Sequence, residues 1–338
     1  MTFVFSVESG RFEAMAVLAI ESLRRFGGRL ADAPVIAVTS RLGPPLARAT
    51  RSRFEELDVT HVWRPHLRRA WFPWIGKIRT VVDAERMAAT ETIAYIDCDV
   101  LFLGDAPAFC LPPDIDVAAG YPDNGVVGTT GPESRYETAW RRACEAVGMS
   151  IDDLPWVELG DGSGRIRFYL NAGIFVFRRG SGLPQEWHAC TEQLFERRAD
   201  FGVWREQFHE QVSLGLAILR SRYAFLPLPY SHNFGIDTSM PGALRSPKLK
   251  AAQVLHYHDQ LDPGNWNATL ARLHDTHPEV AGWLTTRGPI IDPSSHAARR
   301  LAGLLGRTRL VGRRGYRFPG WVRRRRRRAL LLGGVEDE

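Results

Sequence analysis

Cysteine and lysine are both scarce in this 338-residue chain. Four cysteines are too few and too widely separated for a disulfide framework, and no Cys-x-x-Cys pair indicates a zinc or redox site. We therefore expect reduced thiols at Cys98, Cys110, Cys144 and Cys190. Lysine occurs only three times, while arginine supplies most of the positive charge. The position of each lysine is therefore more informative about function than that of a typical arginine.

Long apolar runs are also lacking. No stretch approaches the roughly 18 consecutive apolar residues of a membrane-spanning helix, and no basic segment precedes the first apolar residues. Integral membrane insertion and secretion are therefore not expected, and a cytoplasmic location is predicted. The chain has neither a Walker lysine motif nor a Gly-x-Gly-x-x-Gly segment, which argues against an ATPase and a Rossmann dehydrogenase.

Charge is distributed unevenly along a chain that is 44% hydrophobic and so can form a substantial core. Residues 287–338 hold 14 arginines and 4 acidic residues, whereas residues 1–286 hold 30 basic and 34 acidic residues. We therefore predict one domain over 1–286, followed by a basic, weakly ordered tail over 287–338. A mildly acidic body is unlike a nucleic-acid-binding surface, so no nucleic-acid partner is expected.

Short β-rich apolar runs alternate with segments of helical periodicity. This alternation predicts an α/β fold with a mostly parallel central sheet flanked by helices. The predicted strands lie at 2–7, 34–39, 58–62, 92–96, 116–120, 172–177 and 253–257. The predicted helices lie at about 12–26, 45–57, 75–87, 133–147, 185–198 and 207–219. A proline-rich irregular loop is predicted between about 226 and 250.

Two aspartates, Asp97 and Asp99, follow the continuous apolar strand at 92–96. In open α/β sheets ligands collect at the carboxyl ends of strands, and extended residues two apart point to the same side. Paired carboxylates are hard oxygen ligands that suit Mg²⁺ or Mn²⁺ together with a substrate phosphate. The sequence therefore predicts a divalent-metal site here. The alternative, a solvated acidic turn, is disfavoured by the apolar residues on both sides.

This segment, from Tyr95 to Phe102, resembles the metal-binding Asp-x-Asp strand of the GT-A fold nucleotide-sugar glycosyltransferases. The similarity is greatest to glycosyltransferase family 8, which includes glycogenin and bacterial lipopolysaccharide sugar transferases. Further similar segments follow in the family's order within residues 1–270: Phe168–Phe177, Glu210-Gln211 and Leu255-His256-Tyr257. The family's late Gly-x-x-Lys-Pro-Trp stretch is absent, so the phosphate-contacting lysine expected there is missing.

The resemblance implies a GT-A fold and roles for individual residues. Asn171, Glu210 and Gln211 would act at the sugars, and His256 would be the third metal ligand, with His258 on the same strand face as the alternative. The implied donor contacts come from the end of the first strand, the lysine before Asp97 and the Asp-x-Asp segment: Ser6, Val7, Glu8, Arg11, Lys77, Asp97 and Cys98.

Several of these residues also have a structural interpretation. Lys77 is either a donor contact or a solvated cation at the start of a helix. Asn171 is either a sugar contact or a cap at the start of a strand. Glu210 begins a predicted helix, where an acid can simply offset the helix dipole. Asp123 either binds a sugar hydroxyl or forms a turn.

Two further segments have alternative interpretations. Trp71, Phe72 and Trp74 lie in a loop, where aromatic side chains stack on sugars, insert at a membrane interface or pack beneath the loop. The Arg323–Arg328 run lies beside Trp321 and a short leucine run. It either contacts anionic lipid head groups or forms a solvated tail.

We therefore predict a metal-dependent glycosyltransferase that moves a sugar from a nucleotide-diphosphate donor, with a UDP-sugar favoured, to a hydroxyl of a glycan or lipid-linked acceptor. One alternative is a sugar-phosphate nucleotidylyltransferase, which needs a Gly-rich basic loop that Glu8-Ser9-Gly10-Arg11 matches poorly. The other is a non-catalytic nucleotide-sugar or membrane-binding protein, against which the intact acidic pair counts.

Overall fold

The computed structural model describes residues 1–123, 125, 127–197, 199, 208–236 and 247–314, with side chains up to residue 306. The strands are β1 Thr2–Ser6, β2 Val35–Arg41, β3 Val59–His66, β4 Thr92–Ile96, β5 Val100–Phe102, β6 Val117–Gly120, β7 Trp156–Glu158, β8 Arg165–Arg167, β9 Asn171–Arg178, β10 Phe225–Pro227, β11 Phe234–Gly235 and β12 Val254–His256. The helices are α1 Arg11–Phe26, α2 Arg48–Glu56, α3 Ile75–Met87, α4 Glu137–Ala146, α5 Leu183–Glu196, α6 His209–Arg220, α7 Trp266–Thr276, α8 Pro278–Arg287 and α9 His296–Arg314.

The central sheet has seven strands in the order β10-β6-β9-β4-β1-β2-β3. Strand β1 runs parallel to β2 and β4, β2 parallel to β3, and β10 parallel to β6. Only β9 runs against its neighbours β4 and β6 in this sheet. The predicted α/β fold with a mostly parallel central sheet is therefore confirmed.

Apolar side chains of the central strands alternate between the two faces of the sheet. In β1, Phe3 and Phe5 pack on one face with α1, while Val4 packs on the other face with α3 residues such as Ile78. Burying a phenylalanine side chain stabilises the fold by roughly 1.5–3 kcal/mol. Strands without a polar face therefore occupy the middle of the sheet, as the apolar runs predict.

A smaller sheet, in the order β11-β12-β5, lies next to the end of β4. Strand β12 pairs antiparallel with β5, so that His256 lies opposite Val100. Only Asp97, Cys98 and Asp99 separate β4 from β5. The small sheet therefore brings the late histidine segment against the acidic turn.

The packed part of the chain extends past residue 286. Ile290 is buried in the core, and its amide donates to the carbonyl of Leu261 at 2.9 Å. The predicted tail contains α9, while Arg323–Arg328 lies outside the described residues. Among the helices that the structure describes, none combines the length and apolar character needed to cross a membrane.

Candidate active site

A cavity of about 390 Å³ opens where β4 ends. It is lined by side chains from α3, the β4–β5 turn, β9, α6 and the β12 segment. The sequence-predicted residues that line it are Lys77, Asp97, Asp99, Asn171, Glu210, Gln211, His256 and His258. Asp123 lines it as well. Residues far apart in the chain thus meet because the strand ends and the small sheet converge there.

The other predicted donor-binding residues are not among those that line this cavity. The buried thiol of Cys98 donates to the Ser6 carbonyl at 3.1 Å, and burial raises the pKa of that thiol. The fully buried Val7 donates its amide to Val38 at 3.0 Å, and the Glu8 carboxylate pairs with Arg41. These side chains therefore hold the end of β1 in place.

Arg11 links α1 to the segment that stands in place of the Lys-Pro-Trp stretch. Its guanidinium lies 2.6 Å from the Asp262 carboxylate and donates to the His258 carbonyl at 3.2 Å. Arg11 therefore fixes the turn after β12, which positions His258.

The carboxylate of Asp97 accepts hydrogen bonds at both oxygens. Lys77 Nζ donates to Oδ2 at 2.9 Å, and the Tyr95 hydroxyl donates to Oδ1 at 2.8 Å. Tyr95 is the last but one residue of β4, two positions before Asp97. Both oxygens of Asp97 are thus directed toward groups that belong to the protein.

Lys77 is 8% exposed, so the interpretation as a solvated helix-start cation is wrong. Its ammonium lies 3.3 Å from the Ala172 carbonyl and 3.8 Å from Glu210 Oε1. Burial lowers the pKa of Lys77, but attraction to Asp97 and Glu210 outweighs it and raises the pKa above its usual value. The site therefore holds a permanent buried cation.

Glu210, in the first turn of α6, is fully buried. Neither carboxyl oxygen accepts a hydrogen bond from the residues that the structure describes. Burial, and to a smaller extent the charge of Asp97, raise the pKa of Glu210 to about 8 against the attraction of Lys77. The environment of the side chain therefore favours its neutral form, unlike that of an acid that only offsets a helix dipole at the surface.

The pH dependence of stability tests this assignment. Between about pH 4.5 and 8, Glu210 loses its proton in the unfolded chain but keeps it in the folded protein, so rising pH favours unfolding. Glu210→Gln removes this cost. We expect the variant to match the wild type near pH 5 and to exceed its unfolding free energy by a few kcal/mol near pH 8.5, since each pKa unit corresponds to about 1.4 kcal/mol.

The measurement is urea unfolding at several pH values, with the exposed Glu145→Gln as the control. The control should shift stability equally at every pH. A Glu210→Gln difference that does not change with pH would show that Glu210 is ionised in the folded protein.

His256 connects Asp99 to the small sheet. Its Nε2 lies 3.2 Å from Asp99 Oδ1, and its Nδ1 lies 3.1 Å from Asn233 Oδ1. Burial raises the pKa of Asp99, but the charge and hydrogen bond of His256 outweigh it and lower that pKa below its usual range. The same pairing raises the pKa of His256 against the effect of burial.

His258 lies beside His256, with parallel rings whose centroids are 4.3 Å apart. Its Nδ1 lies 2.8 Å from the Ile236 carbonyl oxygen. Ligand atoms of Asp99, His256 and His258 all lie within 4.8 Å of one another. Carboxylate and imidazole groups at this separation fit a divalent metal ion.

The start of β9 shapes the wall of the cavity. The Asn171 side chain accepts the Gly173 amide at 2.7 Å, so the predicted cap is present while the residue also lines the cavity. A Cβ at Gly173 would lie 2.4 Å from His256 Cε1, which explains the glycine. The Gly173 carbonyl accepts the Asp97 amide at 2.7 Å. This strand therefore positions both the histidine and the acidic turn.

Aromatic residues form another part of the wall. Phe72 is fully buried, and both it and Trp71 contact the Phe195 ring, so packing beneath the loop is confirmed for these two. Trp74 lines the cavity instead. Tyr169 also lines it and donates its hydroxyl to Gln211 at 2.8 Å.

Sequence reasoning missed Tyr95, Tyr169 and Asn233, and it also missed Pro122 and Phe208, which line the cavity. Tyr95, in β4, and Tyr169, just before β9, each precede a predicted site residue by two positions, a spacing that in extended chain places them on the same side. Asn233 lies in the predicted irregular loop and has no comparable signal, because only the pairing of β11 with β12 brings it near His256.

The acidic turn thus ends a central strand of a mostly parallel sheet, as predicted from the sequence. A comparison of the chain with models of protein families also gives a glycosyltransferase. Residues 3–222 match the model of the Rhodobacterales glycosyltransferase domain, and the chain belongs to this family. The prediction of a glycosyltransferase is confirmed.

Several solved glycosyltransferase structures are similar. The galactosyltransferase LgtC, in complex with donor and acceptor sugar analogues, is 16% identical with a TM-score of 0.47, covering 84% of this chain and 96% of its own. Mouse xyloside xylosyltransferase 1 is 13% identical with a TM-score of 0.45, covering 76% and 96%. GlyE of Streptococcus pneumoniae is 14% identical with a TM-score of 0.45, covering 87% and 66%. A search of curated proteins gives no match.

Proposed function

We propose that this glycosyltransferase uses a nucleotide-diphosphate sugar, preferably a UDP-sugar, a divalent metal ion and a hydroxyl acceptor on a glycan or lipid. The observation that carries the proposal is the convergence of Asp97, Asp99, Lys77 and two histidines on one cavity. A cavity that combines acids, a buried cation and neutral polar groups suits a charged diphosphate at one end and a sugar at the other.

A metal ion fits the donor atoms at the cavity wall. Asp99 and His256 are held 3.2 Å apart, which is the separation of two neighbouring ligands of one ion. Asp97 or His258 would complete the set. When bound, the ion would offset the negative charge that grows on the diphosphate as the glycosidic bond breaks.

The protein's own residues supply the remaining functions. Lys77 presents a buried positive charge beside Asp97, which strengthens attraction for phosphate because the site is shielded from water. Asn171 and Gln211 line the cavity with amide groups that can bind sugar hydroxyls. In its protonated form, which the raised pKa favours, the carboxyl of Glu210 can donate a hydrogen bond to a sugar oxygen.

Membership of a glycosyltransferase family favours glycosyl transfer over both alternatives, nucleotidylyl transfer and non-catalytic binding. The donor is identified by thermal shift. We expect UDP and UDP-sugars to raise the melting temperature with Mn²⁺ present and to have much less effect with EDTA, since a ligand of the native state stabilises it. Stabilisation by GDP-sugars but not by UDP-sugars would refute the proposed base, and stabilisation unchanged by EDTA would refute the metal.

The basic tail is proposed to contact an anionic membrane surface, where a lipid-linked acceptor would be found. Helix α9 contains six arginines and no acidic residue, and its Leu301 and Leu304 are 41% and 58% exposed. Charge and apolar surface of this kind combine in interfacial helices. Each basic residue near an anionic surface contributes about 1 kcal/mol.

Replacing all six residues of Arg323–Arg328 with glutamine in the full chain should reduce binding to anionic vesicles at least about tenfold at low salt. Donor hydrolysis should remain unchanged. The difference should shrink at high salt because salt screens exposed charges. Vesicle sedimentation provides the measurement, with neutral phosphatidylcholine vesicles as the control. Equal binding by both proteins at low salt would identify the run as a solvated tail.

A further inference from the structure

We propose that the β7–β8 hairpin carries a glycan-binding subsite outside the cavity, with the ring of Trp156 as its platform, and that this subsite holds the acceptor chain. The inference rests on the proposed glycan acceptor and adds where that glycan lies. Trp156 is 39% exposed, although its ring is large and mostly apolar. An exposed aromatic ring of this kind offers a flat face on which the C–H groups of a sugar ring can stack.

The outward face of the hairpin combines this ring with charged groups. Across the two strands, Trp156 lies opposite Arg167, and Glu158 lies opposite Arg165. The residue between them in each strand is buried, so these four side chains share the face that points away from the core. Guanidinium groups donate hydrogen bonds and a carboxylate accepts them, so both can bind sugar hydroxyls beside the ring.

The Trp156 ring is held in place before a ligand arrives. The guanidinium carbon of Arg167 lies 4.5 Å from the centre of the ring. Nitrogens of the same guanidinium donate to the Leu154 carbonyl at 2.9 Å and to the Asp152 carboxylate at 3.3 Å. Arg167 stacks on one face of the ring, and a sugar would stack on the other. A ring that is already fixed loses little conformational entropy on binding.

The hairpin is anchored to the body of the protein as well. Its inward residues Val157 and Ile166 pack in the hydrophobic core. The Arg167 amide donates to the Thr129 carbonyl at 3.0 Å. The platform therefore stands on a rigid support, which a precise binding surface requires.

The tip of the hairpin reaches the wall of the catalytic cavity. The Gly160 amide donates to the Pro122 carbonyl at 2.9 Å, and Pro122 lines the cavity. On the other side of the tip, Lys248 Nζ donates to the Asp161 carbonyl at 2.9 Å. The outward face of the hairpin is therefore continuous with the place where the acceptor hydroxyl must lie.

The spacing along the hairpin indicates the class of acceptor. Trp156 begins strand β7, and the chain from Trp156 to Gly160 spans up to about 13 Å at the rise of an extended strand. This distance exceeds the length of a single sugar ring. An acceptor with its reacting hydroxyl in the cavity therefore contacts Trp156 only if it is an oligosaccharide.

The test measures binding of the full chain, with UDP and Mn²⁺, to an array of bacterial glycans from monosaccharides to hexasaccharides. We expect the wild type to bind a subset of the longer oligosaccharides. Trp156→Ala should lower the affinity for that subset about tenfold, the scale of a central tryptophan contact at a binding surface. Trp156→Phe should lose less, because it keeps a ring. Glu158→Ala, which leaves the stacked pair intact, should also weaken binding.

The matched control is Trp63→Ala, because Trp63 is 42% exposed but lies on the edge strand β3. It should bind the array as the wild type does. With a bound oligosaccharide as acceptor, Trp156→Ala should raise KM and leave kcat unchanged, as expected for a contact that binds substrate and transition state equally. A merely structural role for Trp156 would not produce this division.

Melting temperatures with and without UDP separate this inference from the proposed function. All variants should keep the shift that UDP and Mn²⁺ produce in the wild type. With that shift present, equal glycan binding by the wild type and all three hairpin variants, or no oligosaccharide binding by the wild type, would overturn the subsite and leave the proposed function intact. Absence of the shift in the wild type would overturn the proposed donor and, with it, the basis of the subsite.

Discussion

Asp99→Asn is expected to lower the rate of sugar transfer by about 10²–10³-fold or more while leaving the fold intact, a loss on the scale seen when a key electrostatic contact is removed from an active site. Asp99 lies at the turn between β4 and β5 and contacts His256 at 3.2 Å. An amide of the same shape keeps the packing but removes the negative charge that a cation requires. The measurement is donor hydrolysis or transfer with saturating Mn²⁺.

The exposed Asp32→Asn is the matched control, because it makes the same chemical change on the surface. Its activity should equal that of the wild type. Circular dichroism and the melting temperature should show that both variants are folded. Wild-type activity in folded Asp99→Asn would exclude a role for this carboxylate in the reaction.

Lys77→Met should reduce both stability and activity. The ammonium lies between Asp97 at 2.9 Å and Glu210 at 3.8 Å, and methionine preserves only the apolar part of the side chain. Removing one partner of a buried pair leaves the other charge uncompensated, which typically costs about 3–5 kcal/mol. We therefore expect an unfolding free energy lower by about 3 kcal/mol and loss of most donor hydrolysis.

A double variant separates the two effects. Lys77→Met combined with Asp97→Asn removes both charges, so it should regain part of the lost stability, with a coupling energy of about 0.5–3 kcal/mol. Activity should stay low, because the phosphate-facing cation is still missing. The exposed Lys250→Met is the control and should change neither quantity. Strict additivity of the two stability losses would show that the pair is not coupled.

The acidic pair shows which features of the site local sequence patterns can predict and which they cannot. A continuous apolar run followed by Asp97 and Asp99 identifies the strand end. A strand that is buried on both faces is apolar at every position, and this pattern is visible in consecutive residues of the sequence. The assignment of partners is different. Lys77 to Asp97 and His256 to Asp99 are contacts between distant segments. Which of these partners pairs with which aspartate depends on distances of a few ångströms, and the spacing of residues along the chain does not determine such distances.

The sequence predicts a strand at 253–257, which contains β12, but the pairing of β12 with β5 and β11 lies beyond sequence prediction for a related reason. Strands β5, β11 and β12 have three residues or fewer. Runs of that length show no usable periodicity and persist only through pairing with one another. The positive φ at His258 likewise depends on hydrogen bonds from the packed turn, against the preference of the residue itself.

The sequence by itself determined the α/β class, the acidic turn at the end of a buried strand and the class of glycosyltransferases, since these depend on apolar periodicity and short motifs. Only the tertiary structure decided that Lys77 is buried, that the pKa of Glu210 is raised by its burial, and that both histidines line the same cavity as Asp99. The physical reason is that burial and electrostatic pairing are properties of groups brought together from separate parts of the chain. The free energy of these interactions contributes only after the sheets have formed and brought the groups together.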